Sequence, residues 1–91
     1  MRTSEYDPRI QARDVRFSDE ALIVLLADGW ETSAPLEWFP RLVRATASQR
    51  ANWRLIGEGS GIHWPDVDED ISTIGLLEGW PSAEYRGAPA G

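Results

Sequence analysis

Seven consecutive apolar residues, Ala21-Leu22-Ile23-Val24-Leu25-Leu26-Ala27, stop at Asp28-Gly29. A run this short, with β-branched Ile23 and Val24 at its middle, reads as a central strand covered on both faces. Asp-Gly reads as a two-residue hairpin turn, because glycine accepts the positive φ of a type I′ turn. The chain must then double back at once, with Trp30 to Ala34 as the returning strand and Pro35 as its stop. Upstream, within Ile10 to Phe17, Val15 and Phe17 alternate with Asp14 and Arg16, the period of a half-buried strand. Ser18-Asp19-Glu20 is the turn between the two. Three consecutive antiparallel strands, a β-meander, are the fold's first commitment.

The rest of the chain is punctuated too often for long elements. Pro40 is tolerated only in a first helical turn, so a helix begins at Phe39 or Pro40, with Leu42, Val43 and Ala45 on its buried side. Thr46 and Gln49 have capping-box spacing and start a second short helix over Ala47 to Asn52. Trp53-Arg54-Leu55-Ile56 returns to strand character, Gly57 to Gly61 is a loop, and Ile62-His63-Trp64 is a strand ended by Pro65. The last helix runs from Thr73 to Glu78, with Ser72 as cap and Gly79 as stop. The expected architecture is α+β: a small antiparallel sheet, β-meander plus a later hairpin, packed with short helices. Residues 1–9 read as a flexible lead-in, 10–80 as one domain and 81–91 as a flexible tail.

With 91 residues, one core near the lower size limit for self-sufficiency is all the chain can build, and five tryptophans help to fill it. Cysteine is absent, so disulfides and thiolate metal sites are excluded. No apolar run approaches the roughly 18 residues that span a bilayer, and the N-terminus has no signal-peptide core. The cytoplasm is the expected compartment, with no membrane partner. A net charge of −6 opposes phosphate attraction. No basic cluster offsets it, so direct nucleic-acid binding is not expected. An acidic domain meets a basic protein more readily, because complementary fields speed association.

The densest chemistry lies in Gly61 to Ser72, which holds the only histidine, His63, with Trp64, Asp66, Asp68, Glu69, Asp70 and Ser72. Counted as an EF-hand loop from Asp66, it has Ile71 where glycine is required and Leu77 where a bidentate glutamate is required, so that reading fails. Gly57, Gly59 and Gly61 match neither the dinucleotide fingerprint nor the phosphate loop, and read instead as a hairpin needing backbone freedom. A lone histidine beside a tryptophan is a structural plate unless it lies in a cleft with a second acid–base group. Neither Ser60 nor Ser72 has the surroundings of a nucleophile. No cofactor, metal site or enzymatic activity is expected. The bland account is a strand-to-helix junction in which Trp64 anchors the core and Asp68, Asp70 and Ser72 cap the last helix. A second candidate surface gathers Trp38, Arg41, Arg44, Arg50 and Trp53, residue types enriched where proteins dock.

Taken in order, Asp28-Gly29, Pro35-Leu36, Trp38-Phe39-Pro40-Arg41-Leu42, Ala45-Thr46, Arg50-Ala51-Asn52-Trp53, Gly61-Ile62-His63-Trp64-Pro65, Asp68-Glu69-Asp70-Ile71-Ser72 and Gly75-Leu76-Leu77 carry a resemblance. The chain from about Val15 to Gly79 resembles the small bacterial family catalogued as domain of unknown function 2442. The resemblance implies a small α+β domain, found alone or joined to a helix-turn-helix. Lone members often sit beside a gene for another small protein, and such pairs are proposed as toxin–antitoxin modules with this family as the antitoxin. It supplies no catalytic residue, and a joined helix-turn-helix is not expected here. The expectation is a non-enzymatic, antitoxin-like or regulatory partner of a small basic bacterial protein, with a homodimer as a further form of association. The alternative is a stand-alone ligand-sensing module with a pocket lined by His63, Trp64 and the acids.

Overall fold

The computed structural model describes residues 7–82 and Tyr85. The expected lead-in and tail therefore fall largely outside the described residues. The described part of the lead-in, from Asp7, enters a 3-10 turn over Pro8–Ile10, whose first amide, that of Arg9, is capped by the Asp7 carboxylate.

Two antiparallel three-stranded sheets follow, each in sequential order. The first contains β1 (Ala12–Phe17), β2 (Ala21–Leu26) and β3 (Glu31–Pro35). The second contains β4 (Arg54–Ile56), β5 (Gly61–Trp64) and β6 (Glu69–Ser72). Between the sheets lie α1 (Pro40–Val43) and α2 (Ala47–Ala51), and α3 (Thr73–Glu78) closes the domain. The α+β expectation holds. The later hairpin is in fact a second three-stranded meander. Among the described residues no helix is long and apolar enough to cross a membrane.

The first sheet departs from the sequence reading in two ways. β2 is central, but only Leu22, Val24 and Leu26 are buried, while Ala21, Ile23 and Leu25 on its other face are half-buried. The run is uniformly apolar, yet one face is covered by the core and the other only by its neighbours' side chains. The turn is also longer than two residues. The Leu26 N–H donates to the Trp30 carbonyl and the Gly29 N–H to the Leu26 carbonyl, enclosing Ala27-Asp28-Gly29. Gly29 alone has positive φ, at 94°, so the connection is a three-residue loop with a left-handed glycine. The Asp28 side chain accepts the Trp30 N–H and holds it closed. In β1 the register slips between Ala12 and Asp14. This bulge lets both Ala12 and Val15 face inward although three positions separate them.

The helical segment follows its punctuation. Pro40 opens α1. Both bonds of the capping box at α2 are made: the Gln49 N–H donates to Thr46 Oγ1, and the Thr46 N–H donates to the Gln49 side chain. One core joins the inner faces of both sheets (Val15, Leu22, Val24, Leu26, Ile62, Trp64 and Ile71) to Leu36, Phe39, Leu42 and Leu76. Trp64 is 0 % exposed at its centre. The ring of Phe17 meets it edge-on at 6.3 Å.

Candidate functional site

The Gly61 to Ser72 motif is a hairpin. β5 and β6 pair with His63 opposite Asp70 and Trp64 opposite Glu69. Alternation along a strand sends successive side chains to opposite faces. His63 and Trp64 therefore cannot wall one pocket. Trp64 and Glu69 are buried, whereas His63 and Asp70 lie on the outer face and Nδ1 of His63 sits 2.5 Å from Oδ1 of Asp70. The reading of Asp68 and Asp70 as helix caps is overturned, because the strand β6 intervenes before α3. Ser72 alone caps that helix, its Oγ accepting the Gly75 N–H at 3.1 Å.

The acids of the turn serve as fasteners. The Asn52 side chain donates to Asp66 at 3.1 Å. Arg41 donates to the Asp68 carbonyl at 2.5 Å and stands 3.8 Å from its carboxylate. The Trp64 indole N–H donates to the Arg50 carbonyl at 3.0 Å. Three separate bonds thus tie the β5–β6 turn to the 41–52 segment. Asp68 sits at φ 56°, a left-handed position that aspartate tolerates better than most residues.

The five residues of the second candidate surface do not form one patch. Arg41 and Arg44 flank Val67. Trp38 stacks at a tilt on Tyr85, their ring centroids 6.5 Å apart. Arg50 and Trp53 lie in a different cleft, with Phe17. Arg50 reaches back to the carbonyls of Leu42 and Val43, at 2.9 and 3.2 Å, and so caps α1.

Two grooves follow strand edges. One, of about 400 Å³, is lined by Arg41, the consecutive residues Asp68 to Ser72, Gly75, Trp80 and Ser82. Consecutive lining residues mean that the groove runs along the edge of β6, since a sheet face would contribute alternate ones. The Thr73 N–H donates to the Ser60 carbonyl, which makes 60–73 a hydrogen-bonded pair. By alternation 62–71 and 64–69 are also bonded pairs, so the N–H and C=O of Asp70 and the N–H of Ser72 point away from β5 into this groove, while the Ser72 carbonyl opens the hydrogen-bond ladder of α3. Trp80 covers Gly75 while staying 60 % exposed. A Cβ at position 75 would lie 2.9 Å from the Trp80 ring, so only glycine admits it there. Sequence reasoning missed this groove, although a glycine inside a helix is itself a sign of close approach.

The chemistry available is limited. Among the described residues no three histidine, aspartate or glutamate side chains are grouped to hold a metal ion. The His63 ring is committed to Asp70 and the Ser72 hydroxyl to its cap, and no hydrogen bond joins the two. What the hairpin does offer is an acid-bearing strand edge beside an exposed indole.

These features define a small two-sheet α+β domain whose distinctive surfaces are strand edges. The chain belongs to the family described as protein of unknown function (DUF2442), whose model matches residues 12–82. It is similar to the crystal structure of a protein of unknown function from Rhodospirillum rubrum, with 28% identity, a TM-score of 0.70, and coverage of 86% of this chain and 96% of that one. It is also similar to the solution structure of an uncharacterised protein from Chromobacterium violaceum, at 25% identity and a TM-score of 0.68, covering 81% of this chain and 70% of that one. No curated protein matches.

Proposed function

We propose that the domain is a non-enzymatic, antitoxin-like partner that covers a surface of a small basic bacterial protein. The β6 groove carries this reading. There, the exposed carboxylates of Asp68 and Asp70 stand on one strand edge, the N–H and C=O of Asp70 and the N–H of Ser72 face outward, and Trp80 supplies an exposed aromatic wall. A basic extended segment would find hydrogen bonds from the strand edge, opposite charge from the acids, and a cation–π surface on the indole. The overall charge of −6 would steer such a partner in.

The test is co-expression with the product of the adjacent small reading frame in the native host. The expected result is a co-purifying complex and relief of any growth inhibition that product causes. A product that neither binds nor is neutralised would overturn the reading. Replacing Trp80 by Ala together with Asp70 by Asn should weaken the complex and leave the isolated domain folded.

A further inference from the structure

The edge of the first sheet carries charge of the opposite sign. β1 is the outer strand of its sheet. A cleft of about 390 Å³ lies beside it, lined by the consecutive residues Val15, Arg16 and Phe17, by Ala47, Arg50 and Ala51 of α2, and by Trp53. The Ser18 N–H donates to the Ala21 carbonyl, so 18–21 is a hydrogen-bonded pair. Alternation in the register then makes 16–23 and 14–25 bonded pairs and turns the backbone groups of Val15 and Phe17 away from β2. The Val15 N–H is taken by the Asp14 carboxylate at 2.9 Å. Among the described residues, the Val15 carbonyl and both backbone groups of Phe17 make no hydrogen bond.

The charges lining this cleft are all positive, in a protein that is otherwise acidic. Arg50 holds its guanidinium 5.5 Å from the centre of the Phe17 ring. Its hydrogen bonds go to neutral carbonyls, and among the described residues no carboxylate pairs with it. Arg16 reaches across the sheet to the exposed Glu31 and is itself mostly exposed. Ala47 and Ala51, four apart on α2, leave the depth of the cleft to Phe17 and Trp53.

We infer that this cleft takes an extended acidic peptide segment, which adds as a fourth strand along β1. Its backbone pairs with the Val15 carbonyl and with Phe17. One apolar side chain enters between Phe17, Trp53 and the two alanines, and its flanking carboxylates, on the other face of the added strand, meet Arg16, while Arg50 adds positive potential from α2. Strand addition supplies affinity from the main chain, and the cations select the sign of the partner. The domain thereby presents two docks of opposite charge on separate sheets.

The probe is an end-blocked peptide of alternating glutamate and valine, titrated into the whole protein at physiological salt and followed by amide NMR. Saturable shifts are expected at Val15 to Phe17 and at the Trp53 indole, with slower hydrogen exchange at the Phe17 amide. Arg16→Ala should weaken binding about tenfold, the loss of one charge-assisted contact, with an unchanged melting temperature. Ala51→Leu, which narrows the cleft from an exposed position, should weaken it independently. The proposal is overturned if shifts are absent up to about 1 mM peptide, if they map to β6, or if a lysine–valine counterpart binds equally well.

Discussion

Gly59 shows how one residue can join the two sheets. It is buried at φ 99°, and a Cβ there would lie 2.4 Å from the Ala12 carbonyl oxygen on the bulged start of β1. Its own carbonyl accepts the Thr73 hydroxyl at 2.7 Å. Gly59→Ala adds left-handed strain to a backbone clash. It should cost roughly 2–4 kcal/mol, measurable by denaturant unfolding. Asp7 is a second fixed point. Hydrogen bonds from the Arg9 side chain and amide hold its carboxyl at about 2, below its ordinary 3.8. A carboxyl with a lowered folded pKa stabilises fully above the unfolded value and ceases to as pH falls through the folded one. Carboxyl NMR should therefore give an Asp7 midpoint near 2 in the folded protein, and Asp7→Asn should lose stability above pH 3.8 while converging with the parent toward pH 2. Neither role was legible in the sequence. The Gly57-Glu58-Gly59 stretch announced only that a turn was needed, and which glycine meets a distant strand depends on tertiary approach.

At the scale of elements, legibility followed local chemistry. Pro40, the Thr46–Gln49 box and the Ser72–Gly79 pair fix helix ends through bonds made within a few residues, and each stands where its pattern put it. β6 was missed because Glu69-Asp70-Ile71-Ser72 has almost no strand propensity. It becomes a strand because Ile71 and Glu69 pair with Ile62 and Trp64 on the buried face. The distinction can be measured. If Asp70 were a helix cap, Asp70→Val would cost about 0.5–2 kcal/mol. On the outer face of a strand, where the His63 contact is solvent-exposed, the change should stay within about 1 kcal/mol. Ser72→Ala, by contrast, should show the full capping loss of about 1 kcal/mol. A loss for Asp70→Val clearly larger than that for Ser72→Ala by thermal unfolding would contradict the hairpin.

For the molecule as a whole, the α+β class could be read from the run at Ala21 and the spacing of breakers, because burial of apolar faces leaves few other arrangements. The candidate surfaces could not. Sequence proximity grouped Trp38, Arg41, Arg44, Arg50 and Trp53, yet α1 and α2 are so short that the chain changes direction between these residues and sends them to three places. It also grouped His63 with Trp64, which a strand must separate. What brings the acids to Trp80 is the return of the chain after α3, across Gly75. The proposed working surface is this β6 edge. Hydrogen exchange on the complex with the basic partner tests it most directly. Amides of Asp70 and Ser72, open in the free domain, should become protected together with the segment around Trp80, while those of β4 keep their free-state rates. Unchanged exchange across residues 68–72 in a formed complex would contradict it.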